Sequence, residues 1–268
     1  MGFHHIPQSL INIMICESNR YTDVTEYMFK KYLNKQKTEI FNNSNIDPHI
    51  IDIITSYTVN IRLLYNPCYE DGSLAYKFIQ YHMIDVNNVY GNNMDNGYMI
   101  DAKDLYEFNN KCTHLTEQTW ITGFPDKKFD IIVTDTRFGD TIYYDLYKNV
   151  FNSDDDVKFE QIYPIETNDY VQLLIQRCIY NLNKNGICQI ILSHKIMSDA
   201  SYINIRKWLI TTVNIRSIYV INYCSEESVP YCCMVTITND TVTSTIEIIT
   251  GSVKKYIMVE NMIDYKFI

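Results

Sequence analysis

"KFDIIVTDTRFGD" (residues 128–140) decides the fold. Ile131-Ile132-Val133 is an unbroken apolar run with an acid on each side, Asp130 and Asp135, followed by an aromatic and a glycine. A strand that is apolar on both faces belongs inside a parallel sheet covered from both sides. Such a strand delivers the residues after it to the carboxyl edge of the sheet, where open α/β folds bind their ligands. The residues from Asp135 to Phe138 therefore become candidates for a site. The neighbouring segments must supply the strands and helices that complete the sheet.

They do so by alternation. "HIIDIITSY" suits a helix, "VNIRLLYNP" a short buried strand, "GSLAYKFIQY" a helix and "YHMIDV" a second strand. "NGYMIDAKDL" is expected to hold a third strand and the opening stretch a fourth. A helix is expected over 169–183, where "YVQLLIQRCIYNL" gathers apolar residues on one face, and "NKNG" stops it with Gly186 as its C-terminal cap. "ICQIILS", "IRSIYVINY", "YCCMVTIT" and "STIEIIT" read as further strands, the last two close enough to pair antiparallel, with "ASYINIRKWLITTV" a helix among them. Upstream, "YTDVTEYMFKKYLNKQ" has helical spacing, and "KTEIFNNSNIDP" breaks it with a loop signal. The expected organisation is a helical N-terminal extension, 1–46, and an α/β domain, 47–268. That domain has a mostly parallel sheet, an antiparallel C-terminal strand and helices on both faces.

Composition narrows the function. Hydrophobic residues make up 46% and charged residues 21%, as in a soluble globular protein. Heavy use of Ile, Asn, Tyr and Lys is what an AT-rich genome favours, such as that of a protist or a large DNA virus. The net charge of −9 disfavours autonomous, tight DNA binding, because phosphate neutralisation supplies much of such affinity. Lys127-Lys128 and Lys254-Lys255 read as solvated surface lysines. Eight cysteines without C-x-x-C spacing, several inside apolar runs, read as buried thiols of a reducing compartment, so no metal site is expected. No apolar run approaches the ~20 residues that cross a bilayer, and no secretory signal is present. A cytoplasmic location is expected, including a viral factory or virion.

The residues immediately after strands are the ones topology selects. Asn66–Gly72 form a strand-to-helix turn, in which Gly72 and Ser73 let a ligand approach the backbone. Asp85, after "HMI", suits either a ribose's two hydroxyls or the N-cap of a helix, and Asp101 carries the same two readings.

Taken in order, these segments resemble the Rossmann-like, S-adenosylmethionine-dependent methyltransferases that methylate adenine N6 in DNA. The family's first motif, Asp/Glu-Pro-x-x-Gly-x-Gly, falls on Asn66-Pro67-Cys68-Tyr69-Glu70-Asp71-Gly72. Its ribose-binding acid falls on Asp85, and the acid that holds the cofactor's adenine amine falls on Asp101. The catalytic tetrapeptide, (Asn/Asp/Ser)-Pro-Pro-(Tyr/Phe), falls on Asp135-Thr136-Arg137-Phe138. The resemblance covers 47–250. It implies that Asn66, Pro67, Glu70, Gly72, Asp85 and Asp101 hold the cofactor. It further implies that Asp135 and the carbonyl at Thr136 accept hydrogen bonds from the adenine amine, and that Phe138 stacks on the base.

The sequence departs from the pattern at defined places. Asn66 replaces the acid and Glu70 the first glycine; Glu70 is then placed to hold the cofactor's amino group. Thr136 and Arg137 replace the rigid proline pair, and Arg137 sets a cation beside a site for a sulfonium. The segment that follows, "TIYYDLYKNVFNSDDDVKFEQIYPIETND", is acidic and aromatic and reads as a loop, a lid or a partner surface. Nucleic acid is expected to be reached through a partner subunit, and a protein partner or an oligomer is expected. Two readings follow: an adenine-N6 methyltransferase, and a catalytically silent relative (a pseudoenzyme) retained as a subunit or scaffold. A dehydrogenase is disfavoured by the absence of G-x-G-x-x-G, and a serine hydrolase by the absence of G-x-S-x-G.

Overall fold

The run Ile131-Ile132-Val133 lies inside strand β4 (Phe129–Asp135) of the computed structural model. The described residues are 63–69, 72, 74–76, 79, 84–92, 108–136, 142, 144, 145, 148, 156–193, 195–221, 232–250 and 253–263. Two compact units divide the chain, Met1–Ile46 and Asp47–Ile268, and all described residues belong to the second. The helical extension expected over 1–46 and the strand expected in "NGYMIDAKDL" lie outside the described residues.

Among the described residues, one nine-stranded sheet organises this unit, in the order β3-β2-β1-β4-β5-β7-β6-β8-β9. Its strands are β1 (Leu64–Asn66), β2 (Val89–Gly91), β3 (His114–Leu115), β4, β5 (Leu182–Ser193), β6 (Asn214–Ile221), β7 (Cys232–Thr238), β8 (Thr245–Thr250) and β9 (Val253–Met258). β1 pairs in parallel with β2 and β4, and β4 with β5. β7 runs antiparallel between β5 and β6, and β9 runs antiparallel to β8 at the far edge. Strand order reverses direction between β1 and β4, so the crevice at their carboxyl ends is the switch point where this architecture binds ligands.

Side-chain alternation buries both faces. Tyr65, Ile132, Cys188, Ile190, Leu192, Val235 and Ile218 belong to one large core cluster, together with residues of helices α1 (Trp120–Gly123), α2 (Asp156–Ile162), α3 (Tyr170–Tyr180), α4 (Lys195–Ser198) and α5 (Ile203–Thr212). Leu64, Ile131, Val133, Ile191 and Met234 alternate with them and are buried on the opposite face. Each fully buried Leu or Ile contributes roughly 1.5–3 kcal/mol.

Local chemistry starts and stops α3. Asp169 is its N-cap, accepting from the N–H of Gln172 at 2.8 Å, and Asn181 closes it with its N–H on Arg177 O. The expected glycine cap is corrected here. The left-handed residue is Asn185, at φ 60°, and Gly186 lies within β5. Residues 183–186 bulge out of the ladder between the pairs Phe129↔Leu182 and Ile131↔Ile187. A Cβ at Gly186 would lie 2.9 Å from Asn183 O, so close backbone approach explains the glycine.

Two further expectations are corrected. The second strand is Val89–Gly91, and only residues 84–86 of "YHMIDV" fall in the described part, where they lead into a 3-10 turn, Val86–Asn88. β7 and β8 do not pair with each other, because β7 inserts between β5 and β6 while β8 crosses to the outer side of β6. β9, Val253–Met258, completes the edge and carries exposed Val253, Tyr256 and Met258.

Candidate functional site

The carboxyl ends of β1 and β4 stand side by side. Leu64 pairs with Ile131 and Tyr65 with Ile132, so continuing the register sets Asn66 beside Val133, two residues before Asp135. The sequence thus brings Asn66 and the backbone of Asp135 and Thr136 to one crevice.

Asn66 is fully buried. Its Oδ1 accepts from the N–H of Cys68 at 3.1 Å, the Asx-turn geometry that turns the chain out of a strand. This bond also fixes the amide's orientation: the oxygen is taken, and the Nδ2 donor is buried with no partner. An unmade bond from a buried amide costs about 1–3 kcal/mol, so Nδ2 marks a position for an acceptor.

Behind Asn66 the backbone is tied to β2. The N–H of Asn92 donates to Asn66 O at 3.2 Å, and the N–H of Tyr69 donates to Asn92 O at 2.9 Å. Asn92 is a buried hub. Its Oδ1 accepts from the Tyr65 hydroxyl, and its Nδ2 donates to Gln118 O at 3.2 Å and Gly123 O at 3.0 Å. The turn then reaches Gly72, at φ +82°, a left-handed conformation that favours glycine.

Tyr69 occupies the space that two glycines leave. A Cβ at Gly91 would lie 2.4 Å from its Cδ2, and one at Gly72 2.6 Å from its Cε1. Its hydroxyl donates to Asn109 Oδ1 at 2.7 Å. The sequence reading assigned no role to Tyr69 or Asn92. The one signal for them was an asparagine directly after the small residue that ends a strand, in "VYGNN".

At β4, Thr136 is buried, and both its N–H (3.3 Å) and its Oγ1 (2.8 Å) donate to Ile191 O. A proline could make neither bond. The ladder with β5 therefore extends one residue past Asp135, and side-chain and main-chain bonds hold the backbone where a proline ring would restrict it.

Asp85 is exposed and precedes β2. It N-caps the 3-10 turn, with its Oδ1 accepting from Asn87 N at 2.9 Å. Of its two sequence readings the structure displays the cap, at the end of β2 opposite Gly91, because the strand begins only at Val89, beyond the expected end at Val86. Pro67 lies in the turn after Asn66. Glu70, Asp101, Arg137 and Phe138 lie outside the described residues.

A second layer supports the crevice from the core side. The Trp120 indole N–H donates to the Tyr170 hydroxyl at 2.5 Å, and that hydroxyl lies 3.5 Å from Cys68 Sγ. This joins the turn after β1 to the start of α3. The Tyr202 hydroxyl donates to Asp169 at 2.9 Å. Burial and the Asp169 carboxylate push its pKa up, so it stays a donor. Burial likewise pushes the Cys112 thiol up to about 11, which makes it a poor nucleophile. Among the described residues no group of His, Cys, Asp and Glu is arranged to hold a metal ion, and no helix is long and apolar enough to cross a membrane.

The methyl donor implied by the sequence resemblance can be tested against these residues. The glycine spaces at Gly72 and Gly91 are accounted for by Tyr69 and say nothing of a ligand. The unpartnered, buried Nδ2 of Asn66 at the switch point fits a ligand that offers an acceptor.

Comparison with known proteins agrees with the architecture. The methyltransferase subunit of a type I restriction-modification system from Streptococcus thermophilus is similar at a TM-score of 0.54 and 17% identity, over 76% of this chain and 46% of that one. A protein from Listeria monocytogenes, proposed to be a class I S-adenosylmethionine-dependent methyltransferase, is similar at a TM-score of 0.56 and 10% identity, over 84% of this chain and 73% of that one. The fold is thus the Rossmann-like methyltransferase fold, a mostly parallel sheet with antiparallel C-terminal strands. The chain spans less than half the length of the Streptococcus subunit. No curated protein sequence matches it. The model of the family described as N-6 DNA methylase matches residues 17–259, and the chain belongs to that family.

Proposed function

We propose that the chain binds S-adenosylmethionine at the carboxyl ends of β1 and β2 and methylates the N6 amine of adenine in DNA. The observation that carries this reading is the buried, unpartnered donor of Asn66, set beside the end of β4 that bears Asp135 and Thr136. When bound, the cofactor supplies an electrophilic methyl group on a sulfonium.

The protein's part is orientation. The N6 amine is a weak nucleophile because its lone pair is delocalised into the ring. Asp135 accepts one of its N–H bonds and the Thr136 carbonyl the other, which aims the nitrogen at the methyl group. Phe138 stacks on a base taken out of the duplex. On receiving the methyl group the amine would give up one proton to water. The doubly anchored Thr136 fixes the backbone at the end of β4 in the absence of prolines. Glu70 holds the cofactor's amino group.

DNA reaches the site with a partner subunit. The net charge of −9 argues against strong unaided phosphate binding, and similar structures include restriction-modification subunits. The test is transfer of a labelled methyl group from S-adenosylmethionine to adenine-containing DNA, with and without co-purifying proteins. Asp135→Ala is expected to lower transfer at least ~100-fold, the scale on which a lost transition-state hydrogen bond is felt. A folded wild type that binds the donor yet methylates no DNA under either condition would replace this reading with the silent subunit.

A further inference from the structure

The family pattern has an acid at the end of β1, and this chain has Asn66. The substitution inverts what the position offers a ligand. With Oδ1 engaged by the Cys68 N–H at 3.1 Å, the only group Asn66 presents is the Nδ2 donor. An ammonium ion cannot use it; an acceptor can. Asn66 is also fully buried, and a donor in such a place gains most from a charged acceptor. S-adenosylmethionine carries one anionic acceptor, the carboxylate of its amino-acid portion.

We infer that Asn66 is a specificity-determining residue that donates Nδ2–H to the carboxylate of the methyl donor, reversing the polarity an acid would give this position. This rests on the reading of the chain as an S-adenosylmethionine-binding methyltransferase. It fits the assignment of the ammonium to Glu70, four residues on in the sequence. The two charged groups of the ligand then meet a donor at the strand end and an acid that follows it in the chain.

Asn66→Asp isolates the idea. It keeps an oxygen for the Cys68 N–H, turns the remaining atom from donor to acceptor and adds a negative charge. Calorimetric titration of the full chain would use S-adenosylhomocysteine and its decarboxylated analogue, with far-UV circular dichroism to check folding. The wild type is expected to prefer S-adenosylhomocysteine by roughly 10- to 100-fold, the value of a hydrogen bond to a charged group. Asn66→Asp is expected to abolish or reverse that preference, leaving affinity for the decarboxylated analogue unchanged or increased. Asn66→Ala, which offers neither donor nor acceptor and adds no buried charge, is expected to abolish it too and covers the case where the Asp variant does not fold. Equal wild-type affinity for both ligands, or a stronger preference for S-adenosylhomocysteine in Asn66→Asp, would overturn the inference and leave the cofactor reading standing. Binding of neither ligand by a folded wild type would overturn both.

Discussion

The two halves of the sheet are held together differently. From β4 to β9 the strands run six to twelve residues and are joined by long registered ladders, as in the seven pairs between β5 and β7. From β1 to β3 they run two or three residues. There the backbone ladder is too short to fix the geometry, and side chains take over: Asn92 ties Tyr65 to Gln118 and Gly123, and Tyr69 fills the space beside Gly72 and Gly91. The candidate site lies where the two halves meet. One wall is set by main-chain pairing, extended by Thr136, and the other by a small set of polar and aromatic side chains.

This difference yields graded expectations. Leu174, fully buried in α3 against the long-stranded half, should be the most sensitive position. Leu174→Ala is expected to cost about 2–5 kcal/mol in denaturant unfolding. Asn92→Leu should cost about 1–3 kcal/mol, because it strands the buried Tyr65 hydroxyl and takes a donor from the Gln118 and Gly123 carbonyls. It should also weaken cofactor binding more than Leu174→Ala does, since Asn92 shapes the turn after β1. If the two variants affect binding equally, the division of labour between the halves is wrong.

Thr136→Val removes one hydroxyl bond to Ile191 O and keeps the β-branched shape. The expected loss is about 1 kcal/mol in stability, with a larger effect on turnover than on donor affinity. A reversed split would place Thr136 in donor binding and not in orienting the amine.

The long-stranded half has its own polar test. Burial works against the charge on Asp240, but hydrogen bonds from Asn214, Thr238 and Arg216 outweigh it and hold the carboxyl below the usual Asp range. A depressed folded pKa adds stability above the unfolded value and loses it as pH falls through the folded one. Asp240→Asn should therefore be less stable than wild type at pH 7, with the gap closing below about pH 4. A gap that stays constant would deny the ionised form its role. The smallest effect is expected at Ser217, whose buried hydroxyl has no partner. Ser217→Ala should change stability by roughly zero or raise it slightly.

The same contrast explains what the sequence discloses. β4, α3, β5 and α5 are long and strongly patterned, so their apolar runs locate them, and with them Asp135 and Thr136. β2 is three residues ending in glycine, with too little periodicity to compete with the more apolar "YHMIDV" before it. That shift moved Asp85 from the expected carboxyl end to the opposite end of the strand, where it caps a turn. β7 and β8 are near in sequence, yet β7 pairs with β5 and β6, a long-range choice that local spacing does not encode. Asn185 took the left-handed position expected of Gly186, which is kept small by nearby carbonyls. Asn92 and Tyr69 act through contacts tens of residues away, so no local pattern announces them.

The most direct test of the account is amide hydrogen exchange on the full chain, with and without S-adenosylhomocysteine. The account predicts added protection at 64–69, 89–92 and 134–136, where β1, β2 and β4 end, and unchanged exchange in β8 and β9. Unchanged exchange throughout, or protection confined to β8 and β9, would contradict a ligand site at the junction of the two halves.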